Sequence, residues 1–245
     1  MQYGDYFNYG YRYGNGGFGA SYILIIIGAL LCLITSGLVK STFNKYAKVM
    51  AESGMTGREV AEAILKKEGI YDVRVERVAG SLTDHFNPKT KTVNLSETVY
   101  DSTSVAAISV AAHECGHAMQ HNEEYLPLRA RSAILPAANF GSKYGLWIVI
   151  LGLFISFFRP LVFIGVVLFA FGVLFQLVTL PVEFDASARA LSVLPDMGIL
   201  AEPEMYGAKK VLKSAAMTYV ASAAASILSL IRIILIARGG RGRRD

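Results

Sequence analysis

Val105-Ala-Ala-Ile-Ser-Val-Ala-Ala-His-Glu-Cys-Gly-His-Ala-Met-Gln-His121 is the stretch on which the reading of this chain turns. It is rich in alanine, holds no proline and follows the capping side chains of Asp101-Ser-Thr-Ser104, so it is predicted to be a helix. On that helix His113 and His117, four residues apart, lie about 40° apart around the axis and about 6 Å along it. Both imidazoles can then reach one ion at the zinc–nitrogen distance of about 2.0–2.1 Å. Glu114 sits beside the first histidine but is rotated off the ion, where its carboxylate can take a proton from a water that the metal activates. HExxH patterns also arise by chance in unrelated proteins. Here the small neighbours Ala111, Ala112, Gly116 and Ala118 leave room for close packing, and three of the four histidines in the chain fall in this helix. The bland alternative is a pair of core or surface histidines.

A catalytic zinc site needs a third protein ligand and an open position, and His₂Glu is a common set. His121 lies about 12 Å along the axis from His113, too far for one ion on a straight helix, which leaves it a place beside the ligands or against substrate. A metzincin would need glycine at position 120 and histidine at position 123; Gln120 and Glu123 stand there. Two carboxylates in Pro181-Val-Glu-Phe-Asp-Ala-Ser-Ala-Arg189 qualify, Glu183 and Asp185. Asp185 and Arg189 are spaced i,i+4 with the acid first, which a helix-surface ion pair explains. Glu183 and Ser187 share the other face. The choice falls on Glu183, partly on the strength of the resemblance given below.

Around these motifs the composition is that of a membrane protein. The hydrophobic share is 53%, and the apolar residues are bunched. No charge occurs between Arg12 and Lys40, from Pro160 to Val182, or from Ser214 to Ile231. Each run can cross a hydrocarbon core of about 30 Å as a helix. Gly145 to Phe158 is shorter and ends at Arg159-Pro160, a turn that would join it to the next span as a hairpin. The run after Gly19 is too long for a signal-peptide core and reads as an anchor. The net charge of +5 lies beside the apolar runs, at Lys40, Lys45 and Lys48 and at Lys209, Lys210 and Lys213, which points to lipid headgroups and topology and not to nucleic acid. Cys32 falls in a span and Cys115 in the metal motif, so neither asks for an oxidising compartment.

The expected organisation is a Tyr/Gly-rich tail (1–20), a transmembrane helix (21–39), an extramembrane metalloprotease region (40–143), a transmembrane hairpin (144–182), a third-ligand helix with a connecting segment (183–213), a last transmembrane or interfacial helix (214–237) and a basic tail (238–245). Within the polar region, Thr56 and Glu59 make a capping-box pattern ahead of a helix that stops at Gly69. Tyr71 to Val78 alternates like a strand, and Thr90 to Leu95 is expected to pair with it after a turn at Asn87-Pro88.

Four stretches carry a resemblance: Gly80-Ser-Leu-Thr-Asp-His-Phe-Asn-Pro88, Val110-Ala-Ala-His-Glu-Cys-Gly-His-Ala-Met-Gln120, Val178-Thr-Leu-Pro-Val-Glu-Phe-Asp-Ala-Ser187 and Ala215-Ala-Met-Thr-Tyr-Val-Ala221. In these the chain resembles the YugP-like neutral zinc metallopeptidases, multi-pass bacterial membrane proteins, over nearly its whole length. Its layout is also similar to HtpX-like proteases and CAAX prenyl endopeptidases, which place an ExxAD motif after membrane segments. Glu183-Phe-Asp-Ala-Ser187 keeps the glutamate and alanine of that motif and has Ser187 in place of its aspartate. The resemblance implies a mainly α membrane protein in which a gluzincin-like α+β metalloprotease domain with a small sheet joins about four transmembrane helices. It further implies a zinc endopeptidase with one zinc per chain, held by His113, His117 and Glu183, and with Glu114 as base. In such enzymes an edge strand aligns the substrate backbone, for which Thr90 to Leu95 is the candidate. His85, His121, Asp185, Arg189 and Tyr219 are candidates for supporting the ligands or touching substrate, His85 and Tyr219 as donors to the oxyanion.

With one ligand pair before the hairpin and the third ligand just after it, the metal is expected at the membrane surface, and the substrate is expected to be a membrane or membrane-proximal protein. The lysines after the first span favour a cytoplasmic site, whereas the arginines at 238, 241, 243 and 244 argue the other way. The rival readings are an inactive zinc-binding membrane scaffold and a transporter. The spans hold almost no ionisable side chain to line an ion path, which counts against the transporter.

Overall fold

The structure is a computed structural model that describes residues 16–154 and 159–239. Most of the tyrosine-rich tail, residues 155–158 and most of the basic tail lie outside the described residues, and Arg159-Pro160, expected as a turn, instead open a helix, where proline is tolerated in the first turn. Seven helices and three strands follow in the order α1 (Gly16–Tyr46), α2 (Gly57–Lys67), β1 (Arg74–Val78), β2 (His85–Asn87), β3 (Thr92–Ser96), α3 (Glu97–Tyr100), α4 (Val105–Asn122), α5 (Leu126–Phe154), α6 (Arg159–Asp196) and α7 (Glu202–Gly239). The chain is a mainly α protein with a small mixed sheet. Four of its described helices are long and apolar enough to cross a membrane, over Tyr22–Tyr46, Leu126–Gly152, Pro160–Asp196 and Glu202–Ile236.

The chain forms two compact units. One comprises 1–32, 134–175 and 222–245. Its helices approach closely where side chains are smallest. A Cβ on Gly28 of α1 would stand 3.1 Å from that of Ala225 on α7, and Gly141, Gly145 and Gly165 lie where α5 and α6 meet backbone to backbone. Small residues serve this purpose in lipid, where apolar burial gives helices no reason to associate.

The other unit comprises 33–133 and 176–221 and holds every candidate site residue. The Thr56 hydroxyl accepts from the Glu59 amide, and the Glu59 carboxylate accepts from the Thr56 amide, which closes the expected capping box of α2. At the other end Gly69 takes φ +70°, and the Ile70 amide returns to the Leu65 carbonyl at 2.9 Å. That left-handed turn ends the helix at low steric cost because glycine has no Cβ. The buried face of α2 (Val60, Ala61, Ile64, Leu65) packs on α4.

Three strands form the sheet in the order β1-β3-β2, with β1 parallel and β2 antiparallel to β3. The expected strands at Tyr71–Val78 and Thr90–Leu95 correspond to β1 and β3, trimmed at their ends. One expectation is corrected here. Thr92–Ser96 is the central strand, hydrogen-bonded on both sides and buried along its length, so it offers no free edge for strand addition. The edge beyond it is β2, a three-residue strand that the turn signal at Asn87-Pro88 concealed.

Ser104 caps α4 by accepting from the Ala107 amide at 3.2 Å. Thirteen of the helix's eighteen residues are buried, which alanine and glycine permit by letting neighbours close in from several sides. Gly116 marks a close approach, since a Cβ there would lie 2.6 Å from the Ala186 carbonyl oxygen of α6. Gly207 plays the same part at the start of α7, against the Tyr46 ring and Val105. The close contact between α4 and α6 is what brings the two halves of the candidate site together.

Candidate metal centre

His113 and His117 project from α4 and Glu183 from α6, and one ligand atom from each lies within 4.8 Å of the others. Glu183 Oε2 is 3.4 Å from His113 Nε2 and 3.5 Å from His117 Nε2. Ligand atoms of a tetrahedral zinc at about 2.0–2.1 Å stand roughly 3.3–3.4 Å from one another, so the carboxylate is already spaced for a shared ion. Oε2 is buried and has no hydrogen-bond partner. An orphaned carboxylate oxygen facing two imidazole nitrogens is costly unless something positive completes it. The donor set therefore fits zinc, with Glu183, and not Asp185, as the third member.

Each ligand has a support. The Ser187 hydroxyl is 3.2 Å from His113 Nδ1, one helical turn beyond Glu183. Gln120 Oε1 is 3.0 Å from His117 Nδ1. The Arg131 guanidinium on α5 comes within 3.7 Å of Glu183 Oε1, the oxygen turned away from the histidines. Burial alone would favour neutral His117, but the carboxylates of Glu183 and Glu114 outweigh it and raise its pKa above the ordinary value. Burial pushes the Cys115 thiol far up, and its sulfur is hydrogen-bonded to the Ala61 carbonyl, so this cysteine is packing and not a ligand.

Glu114 is only 7% exposed, and its charge is felt by His117 and Tyr219. Tyr219, on α7, interacts with Glu183, Glu114 and Arg131 and so faces the same cluster. Asp185 Oδ2 accepts from Gln120 Nε2 at 2.8 Å and from Arg189 Nε at 2.7 Å. His121 is exposed and packs edge-on against Phe86, with ring centroids 5.7 Å apart. His85 is exposed on β2, its Nδ1 2.9 Å from the Thr83 carbonyl. Neither belongs to the ligand cluster. Sequence reasoning did not single out Gln120 or Arg131 as site residues. The signal for Gln120 was an amide three residues after His117, on the stretch of helix that the small residues Gly116 and Ala118 let pack closely. Arg131 was counted only as a topology charge.

The family whose description is "Putative neutral zinc metallopeptidase" matches residues 21–238 of this chain. The chain belongs to that family. Zinc is therefore the metal to which the His113–His117–Glu183 cluster is matched. Among relatives, the "Putative membrane protease YugP" of Bacillus subtilis (strain 168) is 46% identical over 221 residues, which cover 90% of this chain and 98% of the relative. No solved structure matches the chain. Family membership and four apolar helices together make it a membrane protein of the zinc metallopeptidase class.

Proposed function

We propose that the chain is a gluzincin-type endopeptidase that hydrolyses peptide bonds of membrane or membrane-proximal proteins. The observation that carries this reading is Glu183 Oε2, without a hydrogen-bond partner and set against two histidine nitrogens at tetrahedral spacing, with the buried Glu114 next in sequence to the first of them. Zinc bound there would act as a Lewis acid and bring the pKa of a water to about 7. Glu114 then takes the proton from the attacking water on its carboxylate and delivers it to the leaving amine, the acid–base service that a buried carboxylate beside the ligands can give. The Tyr219 hydroxyl donates to the oxygen of the attacked carbonyl as negative charge grows on it. Arg131 holds the outer oxygen of Glu183 and fixes the carboxylate plane. Of the two edge strands, β2 packs against α4 and is the candidate to align a substrate backbone, in place of the central β3.

Length along α6 supports a site at the membrane surface. Glu183 lies 23 residues beyond Pro160, about 35 Å of helix, which exceeds a hydrocarbon core of about 30 Å. Lys40, Lys45 and Lys48, which follow the first span, favour the cytoplasmic side for that surface, against the pull of the arginines at 238, 241, 243 and 244. The test is metal analysis and cleavage of an unfolded test protein by detergent-purified chain. Wild type should carry about one zinc per chain, lost in His113→Ala, His117→Ala and Glu183→Gln, and Tyr219→Phe should keep its zinc but cleave more slowly. Full zinc in all three ligand variants would overturn the assignment, and an inactive wild type that holds zinc would favour the scaffold.

A further inference from the structure

Gln120 is fully buried, an amide in an alanine-rich helix, one turn after His117. Its Nε2 donates to the Val182 carbonyl at 2.8 Å and to Asp185 Oδ2 at 2.8 Å. A carbonyl and a carboxylate can only accept, so the amide cannot be turned over without setting acceptor against acceptor twice. Its Oε1 must therefore face His117 Nδ1, at 3.0 Å, and an amide oxygen also only accepts. When an ion takes the place between Nε2 and Glu183, the remaining hydrogen of His117 is thereby held on Nδ1, and Nε2, the nitrogen that faces Glu183, gives its lone pair to the ion. Asp185 is held in its turn. The oxygen that receives Gln120 also accepts from Arg189 Nε at 2.7 Å. Arg189 is anchored by Glu123 at 2.8 Å and lies over the Tyr125 ring at 5.8 Å.

On the zinc-protease reading above, we infer that Gln120, with Asp185 and Arg189 behind it, is a positioning residue that sets the tautomer of His117 and commits this histidine to the metal through Nε2. The two ligand histidines differ in this respect. His113 has only the Ser187 hydroxyl at its Nδ1, and a hydroxyl either donates or accepts, so it cannot by itself choose a tautomer. Of the two partners described at the histidine Nδ1 atoms, Gln120 is the one whose hydrogen-bonding direction is fixed. The spacing i,i+3 on α4 places the amide over the ring, and the close approach of α6 at Gly116 brings its two acceptors within reach. Metal-bound histidines elsewhere take this support from a carboxylate or a backbone carbonyl. Here a neutral amide stands between the ring and the carboxylate.

Two measurements on the full chain in detergent test the inference. The first is nitrogen-15 NMR of histidine-labelled protein with zinc bound, which keeps the Glu183 carboxylate from competing for a hydrogen on Nε2, with His117 assigned by its loss in His117→Ala. Wild type is expected to show His117 protonated on Nδ1, and Gln120→Met a mixture of tautomers. The second is zinc affinity by competition with a chromogenic chelator. Gln120→Met is expected to weaken zinc about 10–100-fold, the range seen when a ligand's outer support is removed. Should Gln120→Met not fold, Asp185→Leu leaves the amide in place with one of its two orienting acceptors, the Val182 carbonyl, and is expected to weaken zinc by less, about 3–10-fold against the 10–100-fold of full loss of support. Hydrogen on Nε2 in wild type would overturn the inference, as would zinc affinity in a folded Gln120→Met or Asp185→Leu variant within twofold of wild type. A wild type that takes up no zinc would bring down the zinc reading as well. A zinc-binding wild type with indifferent variants would bring down this inference alone.

Discussion

Replacing Gly116 by alanine probes the contact on which the metal centre depends. The new Cβ would lie 2.6 Å from the Ala186 carbonyl oxygen and 3.0 Å from its Cα, both backbone atoms that cannot swing aside. Relief to 3.0 Å requires 0.4 Å of separation (3.0 − 2.6), and ordinary contact at 3.4 Å requires 0.8 Å (3.4 − 2.6). Either shift exceeds the tolerance of about 0.2 Å within which metal–ligand distances are held. Gly116 lies between the two histidines on α4, and Ala186 is three residues from Glu183 on α6, so the separation falls directly on the ligand triangle. For the fold the outcome is mild. Overpacking costs about 1–3 kcal/mol, while alanine recovers up to about 1 kcal/mol over glycine inside a helix. Gly116→Ala is thus expected to lose about 0–2 kcal/mol of stability and about 10–100-fold in zinc affinity. Chelator competition measures the affinity, and thermal unfolding without zinc measures the stability. Gly37, with nothing within 4 Å of its hypothetical Cβ, is the control and should leave zinc binding unchanged. A folded Gly116→Ala protein that binds zinc within threefold of wild type would refute the reasoning.

Ser187 offers a graded test on the other histidine. Ser187→Ala removes the partner of His113 Nδ1 and should weaken zinc about tenfold, whereas Ser187→Asp supplies a stronger acceptor there and should strengthen it, both read by the same competition assay. Asp84 gives a pH signature outside the metal site. Burial raises its carboxyl pKa, although the Ser96 amide and hydroxyl both donate to it. Because the folded-state pKa lies above the unfolded one, this group's stabilising effect is fully present below about 3.8 and is lost as pH rises through the raised value. Asp84→Asn should flatten that part of the stability–pH curve, and an unchanged difference between low and neutral pH would contradict the assignment.

Much of this molecule was legible because the signals were local. The capping box at Thr56 and Glu59, the stop at Gly69, the start of α4 at Ser104 and the presence of four long apolar helices all follow from short-range chemistry and appear as expected, although those helices run well beyond the apolar runs that announced them. So does the paired geometry of His113 and His117, which one helix alone determines. The role of Glu183 required contact between helices separated by more than sixty residues, and its sequence neighbourhood offered Asp185 equally well. Only the approach of α6 to Gly116 separates them, turning Glu183 to the histidines and Asp185 to Gln120. The order of the sheet was illegible for a similar reason. β2 is three residues long beside a proline, too short to show alternation, and without it β3 looked like an edge. Arg131 and Gln120 carry no motif of their own, and their parts come from what the fold sets opposite them.

The most direct test of the account is cleavage of an unfolded test protein by wild type and by Glu114→Gln, purified in detergent and matched for zinc content. Glu114 is not a ligand in this account, so the variant should bind zinc with about wild-type affinity and lose nearly all cleavage, since base removal costs about 10²–10⁴-fold in rate. Wild-type cleavage should stop with a chelator and return with zinc. Equal cleavage by the two proteins at equal zinc would contradict the claim that this membrane chain hydrolyses peptide bonds with Glu114 as its base.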